Sequence, residues 1–141
     1  MKPEDVGILV RYRMEQARTA LDDAQFLLDG GRSPQSVINR AYYAMFYSVL
    51  ALLQTIGKVP GKHTGAIGLF DTEFVMKDIF TKEMSRTLHK GFELRQVSDY
   101  TVPERCSPES AREFLGNAVR FVESVEAYFN PPEQKGAGRN E

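Results

Sequence analysis

Apolar residues recur every three or four positions along most of the chain, which is the spacing of one face of an α-helix. The first such segment covers residues 5–29 and stops at a pair of glycines. The second covers residues 34–56, with Ser33 as its N-cap and Pro34 in its first turn. Its apolar positions leave almost no polar face, so we predict that this helix lies at the centre of the fold.

The second half of the chain contains three further helical patterns. The third helix is short and is marked by Ile67, Phe70, Phe74 and then Met76 or Ile79. The fourth covers residues 81–97, and the fifth begins after Ser107 and runs to residue 129. No stretch alternates with the two-residue period of a strand. We therefore predict the all-α class, as an antiparallel up-and-down bundle of four core helices plus one short helix.

Composition sets the size of the domain and limits its partners. The chain has 141 residues, 42% of them hydrophobic, with 18 basic and 19 acidic side chains. That length suits one core, so we predict a single helical domain over residues 1–130. Residues 131–141 are polar and glycine-rich after two prolines and are predicted to form a disordered tail. The balanced charge excludes nucleic-acid binding by bulk electrostatics and leaves only local basic clusters.

Targeting, membrane and metal signals are missing from the sequence. The N-terminus lacks the apolar run of a secretory signal. The longest apolar run, residues 41–53, is shorter than the roughly 20 residues of a membrane span. The chain has one cysteine, Cys106, and two histidines, too few for a disulfide framework or a Cys- or His-rich metal site. We expect a cytoplasmic protein without a membrane segment, a metal or a cofactor.

Polar residues at the start of the apolar second helix are the first candidate site. Asn39 and Arg40 lie there, and Arg40 shares a helical face with Tyr43 and Tyr47. A buried guanidinium needs a partner. The sequence leaves open whether Arg40 pairs with a structural carboxylate or binds a phosphate.

Two further candidate groups lie at predicted helix ends. His63, at the start of the third helix, could donate to an anion or transfer a proton. The alternative is an ordinary polar loop in which Thr64 caps that helix. Near the end of the fourth helix, Arg95 and Asp99 are four residues apart, with Tyr100 beside them. The alternative for this pair is a weak surface ion pair, provided that the helix continues that far.

Three segments are notable for their order and separation: NRAYYAMFYSVLALL at 39–53, KHTGAIGLF at 62–70 and LRQVSDY at 94–100. Together they resemble the HEPN superfamily of small helical proteins, and within it the short stand-alone proteins of bacteria and archaea. The likeness covers residues 5–130, and its first segment is the specific one. It implies a homodimeric helical bundle, often encoded beside a minimal nucleotidyltransferase as a toxin and antitoxin pair.

Many members of that family are metal-independent ribonucleases. The resemblance implies that their chemistry uses an Arg-x(4–6)-His motif near the end of a core helix, paired across the dimer, and a polar residue from the preceding long helix. Arg95 matches the motif arginine and Asn39 the polar residue. The motif histidine has no counterpart, because Tyr100 follows Arg95 after four intervening residues and no histidine follows it. His63 could replace it only if the third helix begins close to Arg95.

Two hypotheses of function follow. In the first, the protein is a homodimer that binds RNA or a nucleotide phosphate between its subunits and is the toxin-like partner of a nucleotidyltransferase. If its site is active, the protein is a metal-independent endoribonuclease. Its catalytic candidates are Arg95, Tyr100 and His63. Its binding candidates are Asn39, Arg40, Tyr43, Arg95 and Asp99. In the second, the chain is a non-catalytic dimeric binding module for the nucleotidyltransferase. Under either hypothesis, Tyr100 is a candidate for covalent nucleotide addition by that partner.

Overall fold

The computed structural model describes residues 2–100 and 106–131, without the side chains of residues 97–100. In these residues the chain forms five α-helices and no strand. The helices are α1 (Pro3–Asp29), α2 (Pro34–Thr55), α3 (His63–Phe70), α4 (Lys82–Tyr100) and α5 (Pro108–Phe129), and a π-helical turn (Asp71–Val75) follows α3 directly. The predicted bundle of four long helices and one short helix is confirmed.

Helix α2 is the centre of the bundle. It packs against α1, α3, α4 and α5, and its side chains are buried around most of its circumference. The helices around it each turn apolar positions towards it and leave their polar positions in water. Because burial of apolar surface contributes roughly 25 cal/mol per Å², α2 and its contacts dominate the stability of the fold.

The beginnings of the two Ser-Pro helices follow from local chemistry. The hydroxyl oxygen of Ser33 accepts a hydrogen bond from the backbone N–H of Ser36 at 3.2 Å. At α5, Ser107 accepts from the N–H of Ser110 at 3.0 Å, and the Ser110 hydroxyl accepts from the N–H of Ser107 at 3.0 Å. These bonds satisfy amide groups that have no partner inside the helix, and both predicted N-caps are confirmed.

The end of the third helix differs from its prediction. The α-helix stops at Phe70, and the following turn widens into a π-helix. The wider turn changes the direction in which the side chains after Phe70 point. Phe74 is buried, whereas Met76 and Ile79 are exposed. The prediction that one of these two residues faces the core is therefore wrong.

Helix α4 is longer than the sequence pattern predicts. It continues beyond residue 97 to Tyr100, and it starts after Thr81, whose hydroxyl accepts from the N–H of Met84 at 3.2 Å. The extension keeps Arg95 inside the helix rather than at its end. The predicted tail stays a prediction, because residues 132–141 lie outside the described residues.

Asp71 connects α3 to α4. Its carboxylate accepts from the hydroxyl of Ser85 at 2.6 Å and lies 2.7 Å from Nε2 of His89. Ala66 and Ile67 of α3 are buried in the core at the same time. These contacts hold the short α3 in one orientation, and therefore they also position its first residue.

Helix α4 packs closely on α2 and α5 at Gly91. A Cβ atom there would lie 2.7 Å from Cζ of Phe114, 3.0 Å from Cε of Met45 and 3.1 Å from Cδ1 of Tyr42. These distances are shorter than ordinary van der Waals contacts between carbon atoms, which are about 3.5–4.0 Å. Only glycine lets α4 pack this closely on α2, and Arg95 lies on the next turn of α4.

We expect Gly91→Ala to lower the free energy of unfolding, because the added methyl group overpacks the contact between α4 and α2 at a cost of about 1–3 kcal/mol. This loss outweighs the gain of about 0.5–1 kcal/mol that alanine normally brings inside a helix. Urea denaturation measures the difference. Gly116→Ala on α5 is the control, since its nearest neighbours are Arg120 side-chain nitrogens at 3.8 and 3.9 Å. Equal stability of the two variants would contradict the close approach.

Candidate functional site

His63 lies against the aromatic side chains of α2. Its Nδ1 is 2.8 Å from the hydroxyl oxygen of Tyr42. Its ring stacks on Phe46, with 3.9 Å between the centroids and 8° between the planes. The Tyr43 and Phe92 centroids are 5.6 and 6.3 Å away. The imidazole is therefore fixed in place, while its Nε2 makes no hydrogen bond within the described part of the chain.

Arg95 of α4 lies over two of the same rings. Its guanidinium carbon is 5.8 Å from the centroid of Tyr42 and 5.6 Å from that of Tyr43. These distances suit the attraction between a cation and the face of an aromatic ring. The packing of α3 and α4 on α2 thus brings His63 and Arg95 to the same rings, although 31 residues separate them in the sequence. We call His63, Arg95, Tyr42 and Tyr43 the His-Arg site.

The electrostatics of the His-Arg site favour neutral side chains beside one fixed cation. Burial lowers the pKa of His63 below its ordinary value of 6.5, and the positive charge of Arg95 lowers this pKa further. Burial also raises the pKa of Tyr42 far above its usual range, with the charge of Arg95 opposing this shift. At neutral pH the imidazole is therefore unprotonated and the phenol keeps its proton. A neutral imidazole can accept a proton from a ligand.

Arg40 extends the site along α2. Its guanidinium carbon is 5.3 Å from the Tyr43 centroid, so Arg40 and Arg95 share this ring as a neighbour. Arg40 forms no ion pair with any carboxylate of the described residues. The structural ion pair that the sequence left open is thus not found there. The side chain is half-buried and lines a groove between α1 and α2.

The other predicted site residues have different outcomes. Asn39 is half-buried on α2, one turn before the tyrosines, and makes no hydrogen bond through its side chain in the described regions. The interpretation of Thr64 as a helix cap is wrong, because Lys62 occupies the N-cap of α3 without a side-chain hydrogen bond. The backbone of α4 continues through Asp99 and Tyr100, but their side chains lie outside the described residues. Their roles stay predictions.

Sequence reasoning did not include Tyr42, Phe46 and Phe92 among the site residues. Tyr42 is three residues after Asn39 and Phe46 is seven residues after it, so all three share one face of α2. That spacing was visible in the sequence, but an aromatic residue in an apolar helix is usually a core residue. The contacts of Tyr42 with an imidazole and a guanidinium distinguish it from the rest of the core.

Similarity to known proteins establishes the family. Residues 10–128 match the model of the HEPN domain. A "UPF0332 protein" of Thermotoga maritima is 35% identical over 118 residues, which cover 84% of this chain and 89% of the relative. A protein of Methanocaldococcus jannaschii with the name "Putative toxin MJ0605" is 30% identical over 122 residues, 86% of this chain and 90% of the relative. The chain therefore belongs to the HEPN family, and it has toxin-named relatives.

Two further findings concern the described residues as a whole. None of their helices combines the length and apolarity needed to cross a membrane. Nor do three or more histidine, cysteine or acidic side chains come together there in a group that could hold a metal ion.

We expect Arg95→Ala to raise the pKa of His63 towards 6.5, because only the effect of burial then remains. Proton NMR titration of the His63 ring measures the shift, with His89→Gln to assign the two histidines. Arg86→Ala, an exposed arginine on α4, is the control and is expected to leave the value unchanged. An unchanged pKa in Arg95→Ala would contradict the proximity of the two side chains.

The same lowered pKa makes the stability of the protein depend on pH. In the unfolded chain His63 binds a proton near pH 6.5, whereas the folded chain binds it only at lower pH. The contribution of His63 to stability is therefore complete above about pH 6.5 and is lost as the pH falls through the folded-state pKa. Denaturation at several pH values should show this loss in wild type and not in His63→Gln.

Proposed function

We propose that this toxin-like HEPN protein binds RNA by a phosphate group at the His-Arg site and cleaves it without a metal ion. The observation that carries the proposal is the position of His63 and Arg95 over the same pair of tyrosine rings. A proton acceptor and a fixed cation are the two groups that this cleavage needs most. In this proposal His63, from a different helix, replaces the missing motif histidine.

The chemistry begins at the 2′-hydroxyl group of the RNA. In the tautomer that suits the reaction, Nδ1–H of His63 donates to the hydroxyl oxygen of Tyr42, which leaves Nε2 free to take the 2′ proton. The 2′ oxygen then bonds to the neighbouring phosphorus. Arg95 stabilises the negative charge that develops on the phosphate oxygens. Tyr42 acts here as a positioning residue.

The bond between phosphorus and the 5′ oxygen breaks in the same step. The leaving oxygen takes a proton, and we assign this role to the hydroxyl group of Tyr100, from its place in the family motif. The products are a 2′,3′-cyclic phosphate and a 5′-hydroxyl group. Asn39 and Asp99 would position the RNA, and Arg40 and Tyr43 would extend the binding surface beside the phosphate.

For the assembly we propose a homodimer that holds RNA in the groove between its subunits. We also propose a nucleotidyltransferase as its antitoxin partner, and the cytoplasm as the place where the pair acts on RNA. The resemblance to stand-alone HEPN proteins supports the dimer and the partner. The name of the Methanocaldococcus relative supports the role as a toxin.

A second candidate function is a non-catalytic dimeric binding module for the nucleotidyltransferase. The stacking of His63 on Phe46 favours it, because an imidazole packed at 3.9 Å and bonded to a buried tyrosine resembles a structural group. In that case Arg95, with Asp99 and Tyr100, would contact the partner or stabilise the dimer.

Cleavage of total and transfer RNA in excess EDTA tests the first proposal. We expect wild type to cleave, and His63→Gln and Arg95→Ala each to lose at least about 100-fold in rate, since a general base alone contributes 10²–10⁴-fold. The control is Arg86→Ala, an exposed arginine on the same helix α4, which should keep the wild-type rate.

The outcomes separate the two candidate functions. Full activity in His63→Gln would remove the assignment of the proton acceptor. If wild type does not cleave but binds RNA, and Arg95→Ala loses that binding, the His-Arg site binds phosphate without catalysis. If neither cleavage nor RNA binding is found, the binding module for a protein partner is the better account.

A further inference from the structure

A groove of about 340 Å³ between α1 and α2 lies beside the His-Arg site. Its walls include Tyr12, Glu15 and Asp23 from α1, and Arg40 and Tyr47 from α2. This volume is at the lower end of the range for small-molecule sites, which are about 300–1,000 Å³. The groove therefore suits one small ligand group.

The charges in the groove point to the chemistry of that group. Asp23 and Arg40 both line it, and neither forms an ion pair with any residue in the described ranges. Because α1 and α2 are antiparallel and joined by a short loop, the register of the two helices places Asp23 level with Arg40. An anion would be repelled by Asp23 and Glu15, and a cation by Arg40. A neutral group with donors on one edge and acceptors on another can satisfy both charges.

Aromatic contacts connect the groove to the His-Arg site. The Tyr47 ring is 5.9 Å from that of Tyr43, and the guanidinium carbons of Arg40 and Arg95 lie 5.3 and 5.6 Å from the same Tyr43 ring. Tyr43 of the His-Arg site thus contacts Arg40 and Tyr47, two residues that line the groove. A nucleotide with its phosphate at Arg95 can extend its base along this surface, where the half-buried rings of Tyr43 and Tyr47 allow stacking.

We propose that the groove is a guanine subsite, which binds the base next to the phosphate held at the His-Arg site. Guanine has two donors side by side, N1–H and N2–H₂, and two acceptors on the adjoining edge, O6 and N7. Asp23 would accept from the donors, and Arg40 would donate to O6 and N7, the pairing that arginine most often makes with guanine. Adenine, cytosine and uracil each lack this combination. The inference rests on the proposed function only for the position of the phosphate.

Nucleotide binding by the full-length protein tests the subsite, with calorimetric titration of guanosine, inosine, adenosine and uridine monophosphates. We expect guanosine monophosphate to bind at least about tenfold more tightly than the adenosine and uridine nucleotides, the range of discrimination that one bidentate pair supplies. Inosine monophosphate lacks the 2-amino group and should fall between them. Neutral guanosine should show the same preference over adenosine.

A substitution at Asp23 tests the recognition directly. In Asp23→Asn the acceptor becomes an amide that can donate, so the preference for guanine should fall about tenfold and binding of xanthosine monophosphate, which has a carbonyl group at C2, should rise. A purely structural role of Asp23 would not produce this exchange of specificity. Asp22→Asn is the matched control, because Asp22 is an exposed neighbour that does not line the groove.

The outcomes keep the subsite separate from the proposed function. Equal affinity for all four nucleotides, no measurable binding of any guanine compound, or an unchanged preference in Asp23→Asn would each overturn the subsite. Arg95→Ala should weaken the monophosphates alike and keep the ratio between guanosine and adenosine. If that ratio is found but RNA is neither bound nor cleaved, the proposed function is wrong and the guanine subsite stands.

Discussion

The fold depends on covering one helix. Helix α2 is apolar around nearly its whole circumference, and such a helix is stable in water only if its neighbours surround it. Helices α1, α4 and α5 supply most of this cover, and the short α3 closes part of what remains. Close packing requires that the neighbouring helices fit the shape of α2. At Gly91, α4 packs this closely on α2 only because residue 91 has no side chain.

The candidate site results from the way in which the neighbouring helices pack around α2. Around Tyr42 and Tyr43, α2 is approached by the first residue of α3 and by the C-terminal half of α4. His63 and Arg95 therefore lie against the rings of Tyr42 and Tyr43 rather than in free solvent. Partial burial strengthens the influence of the arginine on the imidazole, because fewer water molecules screen the charge. The same packing that stabilises the core thus places a neutral imidazole beside a cation.

Membership of the HEPN family does not settle how this chain uses its site. The resemblance implies that Arg95 is the motif arginine, but no histidine follows it in the sequence. The structure instead brings an imidazole from another helix to the same tyrosine rings. Catalysis depends on where groups lie in space, so a proton acceptor can come from a new position if the fold brings it close enough. The neighbouring groove is lined by acidic side chains from α1 and by the basic side chain of Arg40 from α2. In our two proposals, Tyr43 would lie between the phosphate held at Arg95 and the base held in the groove.

Local signals in the sequence determined the helices of this protein and several of their ends. The serines before Pro34 and Pro108 cap their helices through bonds that span three residues, and the apolar period of each long helix follows from one turn of backbone. The order of the motif segments was enough to predict the HEPN family and the candidacy of Arg95. The π-helical turn after Phe70, the lack of an ion pair between Arg40 and the described carboxylates, and the contacts of Tyr42 were not predictable in this way. These features depend on how the helices pack against one another, which only the tertiary structure decides. A sequence pattern shows which face of a helix is apolar, but it does not show which neighbouring helix packs on that face.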